Sequence, residues 1–177
     1  MAHNSWLKEV FYPSRLKRSA HIISKQILRD HKLFEYKAIA CTGLSGVSMG
    51  TVVSYLTGIP LMVVRKPKEN HHGNYELEYS DYHIKHGNYC IVDDLIDSGN
   101  TMNTIKEKVG KEGSFILCKI YLYHPLEWNK DNEYKGTPVF RAKRISWNET
   151  FMGIAEGVKW KNKNLLFMVM DQRNLYH

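Results

Sequence analysis

Cysteine is scarce in this 177-residue chain: there are three, Cys41, Cys90 and Cys118, an odd number, each in or beside an apolar run. That pattern argues against a disulfide framework and reads as buried free thiols in a reducing, cytoplasmic setting. Long apolar runs are missing as well. None approaches the length needed to span a bilayer, and the first residues, MAHNSWLKEVFYPSR, have no apolar stretch followed by a small-residue cleavage site. The expectation is a soluble intracellular protein. Internal repeats, low-complexity tracts and a clear linker are also lacking, so one domain over residues 1–177 is expected. Aromatic residues are not interleaved with basic ones at a repeated spacing, which leaves stacking on nucleic-acid bases unsupported beyond composition.

What is present is enough apolar material, at 43% of residues, to build a core without covalent help. Lysine and arginine number 25 against 18 acids, a net charge of +7. That balance suits an anionic partner, and charge alone does not choose among phosphates, nucleic acid and a membrane surface.

Apolar periodicity divides the chain into alternating elements. Leu16, Ala20, Ile23 and Ile27 after Ser14 place one stripe on a first helix of roughly four turns. AIACT, Ala38–Thr42, reads as a buried strand delivering a glycine-bounded loop, with a helix from Val47 to Thr57 after it. Gly58 and Pro60 stop that helix, and Leu61–Val64 forms a second strand. The polar segment RKPKENHHGN interrupts the pattern before YELEY and a third strand, YCIVDD, which leads to a helix starting near Thr101. FILCKIYLY, Phe115–Tyr123, and LLFMVM, Leu165–Met170, read as two further strands; the aromatic and basic stretch between them carries no clear signal. Alternation of this kind predicts an α/β fold with a mostly parallel sheet, whose strand ends gather the ligand loops on one edge.

The most informative segment is YCIVDDLIDSGNT, Tyr89–Thr101. Small residues let the backbone N–H groups of Ser98, Gly99, Asn100 and Thr101 approach a phosphate at a helix start. Asp93 and Asp94 do the opposite, repelling phosphate while accepting hydrogen bonds from sugar hydroxyls or holding a hydrated magnesium ion. The competing reading is an acidic strand end and an Asp-Ser-Gly turn that only cap a helix. Earlier in the chain, TGLSG (Thr42, Gly43, Leu44, Ser45, Gly46) is a second place where bare backbone can meet an anion, although a glycine pair in such a turn is often only geometry. After the second strand, Arg65, Lys66 and Lys68 concentrate positive charge, and His71, His72, Gly73 and Asn74 suggest a mobile cover; a solvated basic face and a solvated histidine loop are the alternatives.

VDDLIDSGNT resembles the ribose-phosphate signature of the type I phosphoribosyltransferases, with serine and asparagine where that family often has threonine and glycine. The resemblance covers roughly Ala38–Thr104. It implies an α/β phosphoribosyltransferase fold with a small variable hood, phosphoribosyl pyrophosphate and a nucleobase as substrates, magnesium as cofactor, a homodimer and a place in nucleotide salvage. By the same resemblance Asp93 and Asp94 contact the ribose hydroxyls, Asp97–Thr101 wrap the 5′-phosphate, and Thr42–Gly46 form the diphosphate loop. The Arg-Lys-Pro start and the YELEY ending of the loop are similar to adenine phosphoribosyltransferases. They imply Arg65 and Lys68 as diphosphate contacts, with Lys66 beside them in the basic cluster, and Glu78 and Tyr79 in the hinge and catalytic part of a mobile loop. His71 and His72 before a glycine are partly similar to the orotate enzymes, so adenine is the first expectation for the base, another purine the second and orotate the third. Asp97 or Glu78 is expected as general acid or base. Trp128, Trp147, Phe151 and Trp160 are read as core residues ahead of base-stacking ones. A noncatalytic phosphoribosyl pyrophosphate-binding regulator is the alternative from another class.

Overall fold

Every second residue of the inner strands faces one helical layer and the residues between face another, as a pleat with a period of two demands. A computed structural model gives this architecture for residues 7–66, 76–79, 85–124 and 132–142, all of them in the unit Met1–Ala142. The described strands are β1 (Ala38–Thr42), β2 (Leu61–Val64), β3 (Leu77–Tyr79), β4 (His86–Asp93), β5 (Ser114–Leu122), β6 (Glu133–Tyr134) and β7 (Thr137–Arg141). The helices are α1 (Lys8–Phe11), α2 (Pro13–Phe34), α3 (Gly43–Thr57) and α4 (Asn100–Glu112). The strands form one sheet in the order β3-β2-β1-β4-β5-β7-β6. Neighbours from β2 through β7 run parallel, and only the edge strands β3 and β6 are antiparallel.

Ala38, Ala40, Tyr89, Ile91, Ile120 and Leu122 pack with Met102, Ile105 and Val109 of α4. The alternate residues Ile39, Cys90, Val92, Tyr121 and Tyr123 pack with Ala20, Ile23 and Ile27 of α2 and Met49 and Val53 of α3. Burying a side chain such as Ile23, Ile91 or Ile105 stabilises the fold by about 1.5–3 kcal/mol relative to exposure, so these two clusters hold the sheet between its helices.

The expected strands Ala38–Thr42 and Leu61–Val64 are found with those bounds. Three other expectations change. The first helix runs 22 residues, from Pro13 at its first turn to a left-handed Glu35 whose N–H bonds the His31 carbonyl. The apolar stripe marks only its buried middle, and no helix breaker intervenes between Pro13 and Phe34. Helix α3 begins at Gly43, not Val47, so most of TGLSG is a helical turn. Its inner glycines are there for close approach: a Cβ on Gly46 would sit 3.3 Å from Asp93 Oδ1, and one on Gly50 would sit 3.1 Å from Cys41 Sγ. Strands β6 and β7 arise in the stretch that carried no signal. The anticipated strand 165–170, the histidine pair, and Trp128, Trp147, Phe151 and Trp160 lie outside the described residues. No helix among the described residues is long and apolar enough to cross a membrane.

Candidate functional site

Strands β1 and β4 are parallel neighbours, with Ile39 opposite Cys90. From β1 the chain proceeds outward to β2, and from β4 it proceeds the other way to β5. A crevice opens at the carboxyl ends of strands where such a reversal occurs. Thr42 and Asp93 end β1 and β4 there, and α3 and α4 both start there, on opposite faces of the sheet.

Asp93 is 4% exposed. Its Oδ1 accepts the Asp94 N–H at 2.9 Å, and Asp94 Oδ1 accepts the Leu95 N–H at 2.8 Å. Burial first, and the neighbouring Asp94 carboxylate second, push Asp93 well above the usual carboxylate range, while the Asp94 N–H and the Lys66 ammonium pull the other way. A pocket of about 170 Å³ follows, lined by Asp94, Leu95, Ile96, Asp97, Ser98, Gly99, Thr101 and Met102. Gly99 supplies the left-handed backbone, φ 79°, that turns the chain into α4. Asp97, Ser98 and Asn100 are exposed on this turn, and Ser98 Oγ accepts a long bond from the Asn100 N–H at 3.4 Å.

The opposite wall comes from β1, α3 and β2. Lys66 reaches across the start of α3 so closely that a Cβ on Gly43 would lie 2.7 Å from its Nζ. A cation over a helix start lacking a side chain is a combination suited to an anion. Thr42 is buried, and its hydroxyl is committed to the Val64 carbonyl, tying the ends of β1 and β2 together. The Ser45 carbonyl accepts the Tyr123 hydroxyl at 3.3 Å, and Leu44 is exposed.

The residues expected to flank a mobile loop are joined in an unforeseen way. Arg65 at the end of β2 and Glu78 on β3 form an ion pair, with Arg65 Nε donating to Glu78 Oε1 at 2.7 Å. Lys108 of α4 donates to the Arg65 carbonyl at 2.8 Å and lies 3.7 Å from Glu76. Tyr79 is buried, and its hydroxyl accepts the Lys85 ammonium at 3.1 Å. Lys68 lies outside the described residues.

Tyr134 is the residue the sequence reading passed over: its hydroxyl is 3.2 Å from the Gly99 carbonyl. The available signal was Lys135-Gly136 between Tyr134 and Thr137, a two-residue hairpin turn. For magnesium, no group of three or more candidate ligands occurs among the described residues. Asp93 and Asp94 nevertheless fit an ion that takes one or two carboxylates and completes its shell with water and substrate oxygens.

No protein-family model matches the chain. It is 36% identical over 89 residues to an adenine phosphoribosyltransferase of Clostridium novyi, a match covering 44% of this chain and 52% of that protein. It is 28% identical over 137 residues to the transcriptional regulator GfcR of Thermoplasma acidophilum, covering 76% of this chain and 66% of that protein. Its match spans about half the length of the first curated relatives. The adenine phosphoribosyltransferase of Saccharomyces cerevisiae shares the fold, with a TM-score of 0.57 at 19% identity over 76% of this chain and 82% of that one. With this sheet and the VDDLIDSGNT turn at its central strand, the chain has the fold of the type I phosphoribosyltransferases and is similar in sequence to adenine phosphoribosyltransferases over about half its length.

Proposed function

We propose that this chain transfers the 5-phosphoribosyl group from phosphoribosyl pyrophosphate to a nucleobase and releases diphosphate, with adenine or another purine preferred to orotate. One observation carries the reading: at a single switch point, an acid pair lies between one helix start with a small-residue turn and another with Lys66 above it. A ligand with a phosphate at one end, a sugar in the middle and a diphosphate at the other matches that order.

The backbone N–H groups of Ser98 to Thr101 hold the 5′-phosphate, and Asp93 and Asp94 accept hydrogen bonds from the ribose hydroxyls. The start of α3 and Lys66 hold the diphosphate, whose negative charge grows as its bond to the sugar breaks. Lys68 adds to this cation supply. Arg65 contributes by sharing its guanidinium between Glu78 and the leaving group. Asp97, exposed on the phosphate turn, takes the proton from the incoming base, and Glu78 is the competing group for that step. Asp93 and Asp94 would hold magnesium through water, and the ion would supply charge neutralisation for the diphosphate. Fixing sugar and base in one cleft accounts for much of the acceleration. The reading extends to a homodimer acting in nucleotide salvage, as the family resemblance suggests.

A second reading, a noncatalytic sensor of phosphoribosyl pyrophosphate, is favoured by the regulator relatives and by the Arg65–Glu78 pair, which occupies both groups with each other. Calorimetry of the whole chain with phosphoribosyl pyrophosphate and magnesium should give saturable heat. Diphosphate release should then appear with one of adenine, hypoxanthine, guanine and orotate. Heat without release from any base would favour the sensor, and absence of heat would remove both readings.

A further inference from the structure

Tyr134 reaches the phosphate turn from the far edge of the sheet. It sits on β6, which pairs with β7 through Tyr134 opposite Thr137 and Glu133 opposite Pro138. The two residues between the strands are left-handed, Lys135 at φ 46° and Gly136 at φ 79°, a turn whose twist matches a tight hairpin. The hairpin therefore fixes where the tyrosine points. Its hydroxyl lies 3.2 Å from the Gly99 carbonyl oxygen and 3.2 Å from Asn103 Oδ1, and the Lys135 ammonium donates to the same Asn103 oxygen at 3.3 Å. The contact is intimate: a Cβ on Gly99 would fall 2.2 Å from the tyrosine oxygen.

The Gly99 carbonyl also accepts the Asn103 N–H at 3.0 Å, the first bond of α4. The Asn103 N–H and the tyrosine hydroxyl, whose one proton is shared with Asn103 Oδ1, both meet that oxygen, which restrains rotation of the peptide between Gly99 and Asn100. A trans peptide directs its N–H opposite to its C=O. Holding the carbonyl on the tyrosine side thus aims the Asn100 N–H back into the turn, toward Ser98 Oγ.

We infer that Tyr134 is a positioning residue for the phosphate subsite, locking the Gly99–Asn100 peptide so that its N–H is already directed at the monoester. The inference rests on the proposed function, in which this turn holds the 5′-phosphate. Preorganising a donor removes the cost of ordering it when the ligand arrives. The effect is confined to the phosphate end, because the diphosphate seat on α3 belongs to the other face of the sheet.

The test is Tyr134→Phe in the full chain, which keeps the ring and its packing and deletes the hydroxyl. Calorimetry with ribose 5-phosphate should show about a tenfold loss of affinity. Affinity for magnesium diphosphate should stay within about twofold and the melting temperature within about two degrees. Unchanged ribose 5-phosphate affinity overturns the inference. Parallel loss for both ligands together with a lower melting temperature also overturns it, since that marks a merely structural role. Should the unmutated chain bind diphosphate but not ribose 5-phosphate, the function assigned to the turn fails, and the role of Tyr134 fails with it. As a second variant, Lys135→Ala leaves the tyrosine–Gly99 contact in place and should hold ribose 5-phosphate affinity within about threefold; a tenfold loss there would shift the role from the hydroxyl to the ammonium and overturn the inference.

Discussion

A carboxyl that is 4% exposed and adjoins a second carboxyl costs the folded chain stability whenever it is ionised, and Asp93 is so placed. Its folded-state pKa is raised, so the folded chain holds this proton more tightly than the unfolded one. The contribution is therefore most favourable in acid and declines as pH rises from the ordinary 3.8 through the raised folded value. Asp93→Asn keeps an oxygen to accept the Asp94 N–H and removes the charge. At pH 8 it should raise the melting temperature by a few degrees, with the gain vanishing near pH 4, while affinity for ribose 5-phosphate falls at least tenfold. Scanning calorimetry at both pH values, paired with titration, checks this. A lower melting temperature at pH 8 would mean that the carboxylate supports the fold instead of the ligand.

Among the elements, α2 and β5 are tied by a polar cluster set into an apolar face. Asp30 of α2 meets Lys119 Nζ at 2.9 Å and accepts the Tyr121 hydroxyl at 2.7 Å, and that hydroxyl lies 3.0 Å from the hydroxyl of Tyr36. Burial works to raise Asp30, but hydrogen bonds from Lys119, Tyr121 and Gln26 outweigh it and leave the carboxyl below its ordinary 3.8. The sign is the reverse of that for Asp93. Stability from Asp30 is fully present above 3.8 and is lost as pH falls through the lowered folded value. Asp30→Asn should thus lower the melting temperature at neutral pH, and the gap from the unmutated chain should close as the solution is taken below that value. A gap that stays constant with pH would show that packing, not ionisation, ties α2 to β5.

For the molecule as a whole, the elements that could be read from sequence are those whose local pattern and tertiary role agree. AIACT and LMVV are short apolar runs, too short for a helix, with Gly43 after the first and Gly58 and Pro60 before the second, and that length and punctuation favour a strand. The placement of Asp93 and Asp94 at a strand end and of Ser98–Thr101 at a helix start was readable because strand, acids, glycine and helix start are contiguous. The start of α3 was misread because glycine usually signals a loop, whereas Gly46 and Gly50 serve the close approach of a helix to β1 and the end of β4. The Arg65–Glu78 pair depends on the antiparallel register of β2 and β3, and Tyr134 reaches Gly99 across 35 residues, a proximity no local pattern encodes.

Because α3 and α4 start at one crevice yet belong to hydrophobic layers on opposite sides of the sheet, a molecule bridging their first turns acts as a rivet through the protein's edge. Neither layer can then peel away without breaking the same set of bonds. Amide exchange in the first turns of α3 and α4 should slow together when phosphoribosyl pyrophosphate is added, whereas inorganic diphosphate should protect α3 alone. Protection of α4 without α3 by the full ligand would show that the crevice is gripped from one side only, leaving the two layers to open independently.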